Sequence, residues 1–132
     1  MNHVSVNEKK LQTRGMKNKN KTILEPWGKE VILEKRGNYW IKKLFVRQGA
    51  RISLQSHKGR FEIWIVLSGR VEVIKGSSRL LLKEGEFLKI NKKEKHRITG
   101  IGLKDSCILE AAFGQVREND ITRFKDDYGR IK

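Results

Sequence analysis

Cysteine and proline are almost missing from this chain. Cys107 stands alone among 132 residues, so no internal disulfide can form. A lone cysteine in a predicted strand reads as a buried thiol in a reducing cytosol. One proline against twelve glycines suits many tight turns more than disorder. Long apolar runs are missing too: the longest hold about five residues, where a membrane helix needs about 20. The N-terminus lacks the apolar stretch of a signal peptide. The expectation is therefore a cytoplasmic protein with no membrane partner. Acids are scarce, 15 against 30 basic residues, for a net charge of +15. Such a charge bears on solubility and partners, not on fold. A solvated Lys-rich surface accounts for it, and so does a small anionic ligand. No RNP-like or zinc-finger pattern is present, and no basic run interleaved with aromatics, so specific nucleic-acid binding is not expected.

What the chain does have is short runs of Val, Ile, Leu, Phe and Trp, which are β-formers. Its length suits one domain. Residues 1–22 carry six Lys or Arg and one acid with little to bury, and read as a flexible basic tail. The domain is expected over 23–132. Strands are predicted at 29–34, 39–47, 51–56, 62–67, 69–75, 79–83, 87–90, 95–99 and 106–113, most of them closed by glycine turns. Residues 116–132 are polar and are expected to wrap the outside, with one helical turn near 118–121. Many short strands without helical periodicity indicate a sandwich or barrel.

One stretch carries the chemistry. Gln55 and His57 lie two apart, so on a strand both face the same way. Glu62 then opens an apolar run, and His96 follows 34 residues later. Either histidine alone reads as an ordinary polar strand residue. Together, the four positions offer oxygen and nitrogen donors suited to one divalent cation: zinc first, with manganese, iron or cobalt as alternatives. The two strands that carry Gln55, His57 and Glu62 are expected to be neighbours in one sheet.

The spacing Gly49, Gln55, His57, Glu62, Gly69 resembles the first motif of the cupins, with Gln in place of the first His. Gly85 to His96 resembles the second, with Asn91 for its Pro and Lys93 for its Gly. The fold expected is an all-β double-stranded β-helix jelly roll. A closer resemblance runs through Pro26-Trp27-Gly28, Lys42, residues 53–57, Arg60-Phe61-Glu62, Trp64, Val66, Ser68-Gly69, Lys95-His96-Arg97, Glu110, Asp120-Ile121, Arg123-Phe124 and Tyr128-Gly129-Arg130. These residues resemble the type II mannose-6-phosphate isomerase domain. That domain usually forms the C-terminal part of bifunctional mannose-1-phosphate guanylyltransferase/mannose-6-phosphate isomerases. The chain departs from the family at Lys58-Gly59 (usually His-rich), Glu25 (usually Arg) and Ala112 (commonly Gln). No Gly-rich nucleotide loop is present, so guanylyl transfer is not expected.

The resemblance implies interconversion of mannose 6-phosphate and fructose 6-phosphate, with a metal at Gln55, His57, Glu62 and His96. Such an isomerisation needs a base. Glu110 shares strand parity with Ile108 and Ala112 and is the candidate. Lys42 shares parity with Leu44 and Val46 and suits a developing oxyanion. Arg60 and Arg130 are candidates for the phosphate, through the guanidinium fork. Ser53 has the parity of Gln55 and is a further substrate-binding candidate. Trp27, Trp40 and Trp64 read as core. A homodimer through edge strands is expected. The alternatives are a non-catalytic sugar-binding cupin and a metal-dependent cupin dioxygenase, the latter disfavoured by Gln at position 55.

Overall fold

A computed structural model describes residues 20–131; residues 1–19 of the expected tail lie outside the described residues. Eleven strands are present: β1 Lys21–Glu25, β2 Gly28–Lys35, β3 Tyr39–Val46, β4 Leu54–Ser56, β5 Arg60–Ser68, β6 Arg70–Lys75, β7 Ser78–Lys83, β8 Phe87–Ile90, β9 His96–Gly100, β10 Ser106–Gly114 and β11 Thr122–Lys125. They form two antiparallel sheets, ordered β1-β2-β3-β10-β5-β8 and β11-β4-β9-β6-β7. From β3 to β6 the chain changes sheet at every strand, and from β7 to β11 it does so again. This is the winding of the expected jelly roll.

The alternation read from the sequence is the alternation of burial. Along β3, Trp40, Lys42, Leu44 and Val46 are buried and the residues between them are not. Along β6, Val71 and Val73 turn inward. Apolar side chains meet between the sheets, among them Leu44, Val46, Trp64, Val66, Ile98 and Ile108. Each such side chain contributes about 1.5–3 kcal/mol on burial. Trp27, Trp40, Trp64 and Cys107 are buried, as expected.

Gly69 shows why the motif needs glycine there. Its φ is +86°, and a Cβ would stand 2.5 Å from Ser106 Oγ. Glycine accepts both the left-handed backbone and the close approach.

Three expectations are corrected. The domain starts before residue 23, because β1 already takes in Lys21 and Thr22. The polar C-terminal segment contains strand β11, which pairs with β4. No helix occurs among the described residues, and 118–119 form a plain turn. Among those residues no helix is long and apolar enough to cross a membrane.

The inward rows change character along the strands. At the Val46–Ile108 end they are apolar. Toward the other end of β3, β5 and β10 they become Lys42, Arg60, Glu62 and Glu110, all buried. Register brings these together: Lys42 pairs with Glu110 across β3 and β10, and Ala112 pairs with Glu62 across β10 and β5. Gln55 and His96 are paired directly across β4 and β9 on the facing sheet.

Candidate metal centre

The site lies between the sheets, not within one. Gln55 and His57 come from β4 and the turn after it, and His96 opens β9 beside them. Glu62 reaches across from β5 in the other sheet. The expectation that the strands carrying Gln55 and Glu62 are neighbours is corrected: they are consecutive in the chain but face each other. One ligand atom from each of His57, Glu62 and His96 lies within 4.8 Å of the others.

Both imidazoles are aimed by the backbone. His57 Nδ1 is 2.7 Å from the carbonyl of Asp120, and His96 Nδ1 is 2.8 Å from that of Glu94. A carbonyl only accepts, so each Nδ1 carries the proton and each Nε2 presents a lone pair. Those two Nε2 atoms stand 3.1 Å apart. They are 3.6 and 3.8 Å from the Glu62 carboxylate. Burial lowers the His57 pKa to about 4, against the pull of Glu62, and burial lowers that of His96 as well. Both rings are therefore neutral at physiological pH. Burial works to raise the Glu62 pKa, but the histidines where they are protonated at low pH, and the Arg60 charge and hydrogen bond throughout, outweigh it, so the carboxylate is ionised at neutral pH. Two lone pairs and an anion converging on one buried point are a donor set that fits a divalent cation.

The turns behind the ligands are tied down. Asp120 accepts the N–H of Lys58 at 2.9 Å and of Gly59 at 2.8 Å on its two carboxylate oxygens. Lys93 N donates to His57 O at 2.7 Å. Lys93 itself has φ +65°, a left-handed backbone in the position where the motif usually has Gly.

Gln55 lies beside His57, with Nε2 3.4 Å from His57 Nε2. Its Oε1 accepts the Ser53 hydroxyl at 2.7 Å. A half-turn of the amide would present oxygen to the centre. The Ser53 hydroxyl can donate or accept, so it serves either orientation. Ser53 is fully buried behind Gln55. Its hydroxyl, expected to face substrate, is spent on the Gln55 amide.

Arg60 is also corrected. It is not a free fork at the mouth. Its Nε donates to Glu62 Oε2 at 2.8 Å, one Nη donates to His57 Nε2 at 3.1 Å, and the other donates to the Arg117 carbonyl at 3.0 Å. Arg130 sits at the cavity but forks onto Asp126, at 2.8 and 3.0 Å. Lys42 points inward as expected, with Glu30 at 2.8 Å and Glu118 at 2.9 Å. Burial alone would lower its pKa, but Glu110, Glu30 and these hydrogen bonds hold it raised. Glu110 is buried, and Trp40 Nε1 donates to its Oε2 at 2.7 Å. Burial, helped by Glu62, pushes its pKa up to about 8.

These groups surround a cavity of about 80 Å³, lined by Gln55, His57, Arg60, Lys42, Glu110 and Arg130 among others. Sequence reasoning missed Glu30, Glu118 and Asp126, which neutralise its cations. It named Asp120 and Arg123 only as motif matches and assigned them no role.

Residues 12–126 match the family described as mannose-6-phosphate isomerase C-terminal. Over 109 residues the chain is 37% identical to the xanthan biosynthesis protein XanB of Xanthomonas campestris pv. campestris, covering 82% of this chain and 23% of that protein. It is 31% identical over 110 residues to a mannose-1-phosphate guanylyltransferase of Escherichia coli K12, covering 83% of this chain and 23% of that protein. The chain thus spans about a quarter of the length of the curated relatives it matches. Among solved structures, the capsular polysaccharide assembling protein CapF from Staphylococcus aureus superposes with a TM-score of 0.73 at 12% identity. That match covers 86% of this chain and 34% of CapF, a likeness of fold alone.

Proposed function

The chain belongs to the mannose-6-phosphate isomerase C-terminal family, and from that premise we propose that it is a metal-dependent isomerase interconverting mannose 6-phosphate and fructose 6-phosphate. The observation that supports this most is the cavity that Gln55 and His57 share with Glu110, a buried carboxyl whose pKa is raised to about 8, with Glu62 and His96 clustered around His57.

His57, Glu62 and His96 would hold the ion, zinc by preference, with Gln55 as the fourth ligand. A bound divalent cation supplies Lewis acidity where negative charge builds up on the sugar oxygens. Glu110 does the proton work. Its carboxylate takes the proton from the carbon next to the carbonyl and returns it to the former carbonyl carbon, while the proton of the adjacent hydroxyl passes to the former carbonyl oxygen, so the product carries the same atoms and charge as the substrate. A pKa near the working pH suits both halves of that transfer. The Trp40 N–H fixes the carboxyl, and the same indole ring lies 3.7 Å beneath the Lys42 ammonium. Lys42 offsets the charge that develops on the sugar. Lys42, Arg60, Glu62 and Glu110 in this layer are each no more than 6% exposed.

A second reading is a binding-only domain. It is favoured by Arg60, whose donors already occupy the Glu62 carboxylate and His57 Nε2, groups that would hold the ion. One experiment separates the two. Purified protein is analysed for metal, loaded with zinc, and assayed in both directions of isomerisation alongside His57→Ala. Turnover lost with the metal supports the isomerase. Sugar-phosphate binding without turnover supports the second reading.

A further inference from the structure

The basic side chains around the cavity are nearly all engaged. Lys42 is held by Glu30 and Glu118, Arg60 by Glu62 and His57, and Arg130 by Asp126. Arg123 differs. It lines the same cavity, yet it makes no ion pair among the described residues. Its Nε is the one buried side-chain nitrogen or oxygen among them that lacks a hydrogen-bond partner. A buried guanidinium N–H without an acceptor costs about 1–3 kcal/mol, so an acceptor brought by a ligand would recover that energy.

Its place in the fold fits such a ligand. Arg123 on β11 is the direct cross-strand partner of Gln55 on β4. Directly opposed residues project to the same face, so Arg123 flanks the metal centre. Sequence reasoning gave the anion to Arg60 and Arg130, and both guanidinia already donate to protein acceptors. We infer that Arg123 is the residue that receives the phosphate of the substrate, with Arg130 beside it at the cavity. This rests on the isomerase reading for the sugar, but the anion site itself does not depend on catalysis.

The charge of the cavity agrees. Burial, with Glu30 beside it, pushes Glu25 up to about 8, and Glu110 lies at about the same value. At neutral pH both are largely uncharged, which leaves the cations of the cavity in excess of its ionised carboxylates. A guanidinium also matches a phosphate better than an ammonium does, because its N–H groups are set as a fork.

The test is calorimetric titration of the parent, Arg123→Gln and Arg123→Lys. Inorganic phosphate is titrated into metal-free protein, so that it cannot ligate an ion. Mannose 6-phosphate and mannose are titrated into zinc-loaded protein. The expected result is a loss of about tenfold or more for both phosphates in Arg123→Gln, with an intermediate loss in Arg123→Lys. Mannose affinity and zinc content should stay at parent values, and the melting temperature should not fall. If Arg123→Gln does not fold, Arg123→Lys decides alone. Unchanged phosphate affinity in the variants, or no preference of the parent for mannose 6-phosphate over mannose, overturns the inference. Turnover with an unchanged KM in Arg123→Gln overturns it too, while the isomerase reading stands. Arg123-dependent phosphate binding without turnover leaves the anion site and removes the isomerase.

Discussion

Arg60 Nε lies 2.8 Å from Glu62 Oε2, two residues further along the same inward face of β5, and neither residue is more than 6% exposed. The guanidinium thus neutralises the carboxylate and also donates to His57 Nε2. A divalent cation would take the same lone pairs, so Arg60 and the ion compete for them. In Arg60→Gln the metal-free protein keeps a buried carboxylate without its partner, which costs about 3–5 kcal/mol. The zinc-loaded form loses less. We expect a lower melting temperature without metal and a larger zinc-induced rise than in the parent. Equal rises in the two proteins would show that Arg60 and the ion do not compete.

Glu110 sets a pH dependence in the metal-free chain. Its carboxyl is raised from the ordinary range to about 8. Between the unfolded value near 4.5 and about 8, the folded state keeps a proton that the unfolded state has released. Stability therefore falls as pH rises through that window, by roughly 3–5 kcal/mol in all. Glu110→Gln removes this loss and can keep the Trp40 hydrogen bond through its amide oxygen. Chemical denaturation at pH 6 and pH 9 should show a clear drop for the parent and a smaller one for the variant, in which Glu25, raised to about 8 by burial, still contributes. Parallel profiles would remove Glu110 as a buried neutral acid.

The strands and the cluster of His57, Glu62 and His96 were legible because both follow from local pattern. Period-two burial along β3, β5 and β10 is written in alternating residues, and the ligand spacing survives as sequence offsets. The facing of Glu62 and His57 across two sheets was not legible, because period two gives the face of a strand and not its partner. β11 was missed because three of its four residues are exposed, so its alternation is hidden. The counter-ions Glu30, Glu118 and Asp126 sit far from their cations or on loops, where no local rule pairs them. Arg60 shows the cost of this: sequence position put it beside the ligands, but only coordinates reveal that its donors face inward.

Lys93 holds a left-handed backbone, φ +65°, which costs an ordinary L-residue about 1 kcal/mol or more. Its N–H bond to His57 O keeps it there. Asn tolerates this conformation better than Lys, and a β-branched residue tolerates it worst. Lys93→Asn should raise stability by about 0.5 kcal/mol, and Lys93→Val should lower it by about 1 kcal/mol or more. Thermal melts of the three proteins check the order. Val equal to Lys would mean that the loop relaxes out of this conformation.

Asp120 holds His57 from two sides. Its backbone carbonyl accepts the Nδ1 proton, and its carboxylate accepts the next two backbone N–H groups, those of Lys58 and Gly59. Burial acts against the charged form, but the two N–H bonds and the nearby Arg60 and His57 outweigh it and lower its pKa. The carboxylate is therefore ionised at neutral pH, and its stabilisation is lost only as the pH falls through that lowered value. Asp120→Ala keeps the carbonyl but removes both side-chain acceptors. Two freed N–H groups cost about 1–3 kcal/mol, and the turn that aims the imidazole loosens. Groups that orient metal ligands are typically worth about 10–100-fold in metal affinity, so zinc should bind Asp120→Ala about tenfold more weakly or worse. Asp120→Asn keeps one acceptor and should fall between. Zinc titration of the three proteins, with melting curves taken in parallel, separates the two effects. A variant that melts lower but binds zinc as tightly as the parent would mean that the turn is structural and that the carbonyl of residue 120 aims His57 unaided.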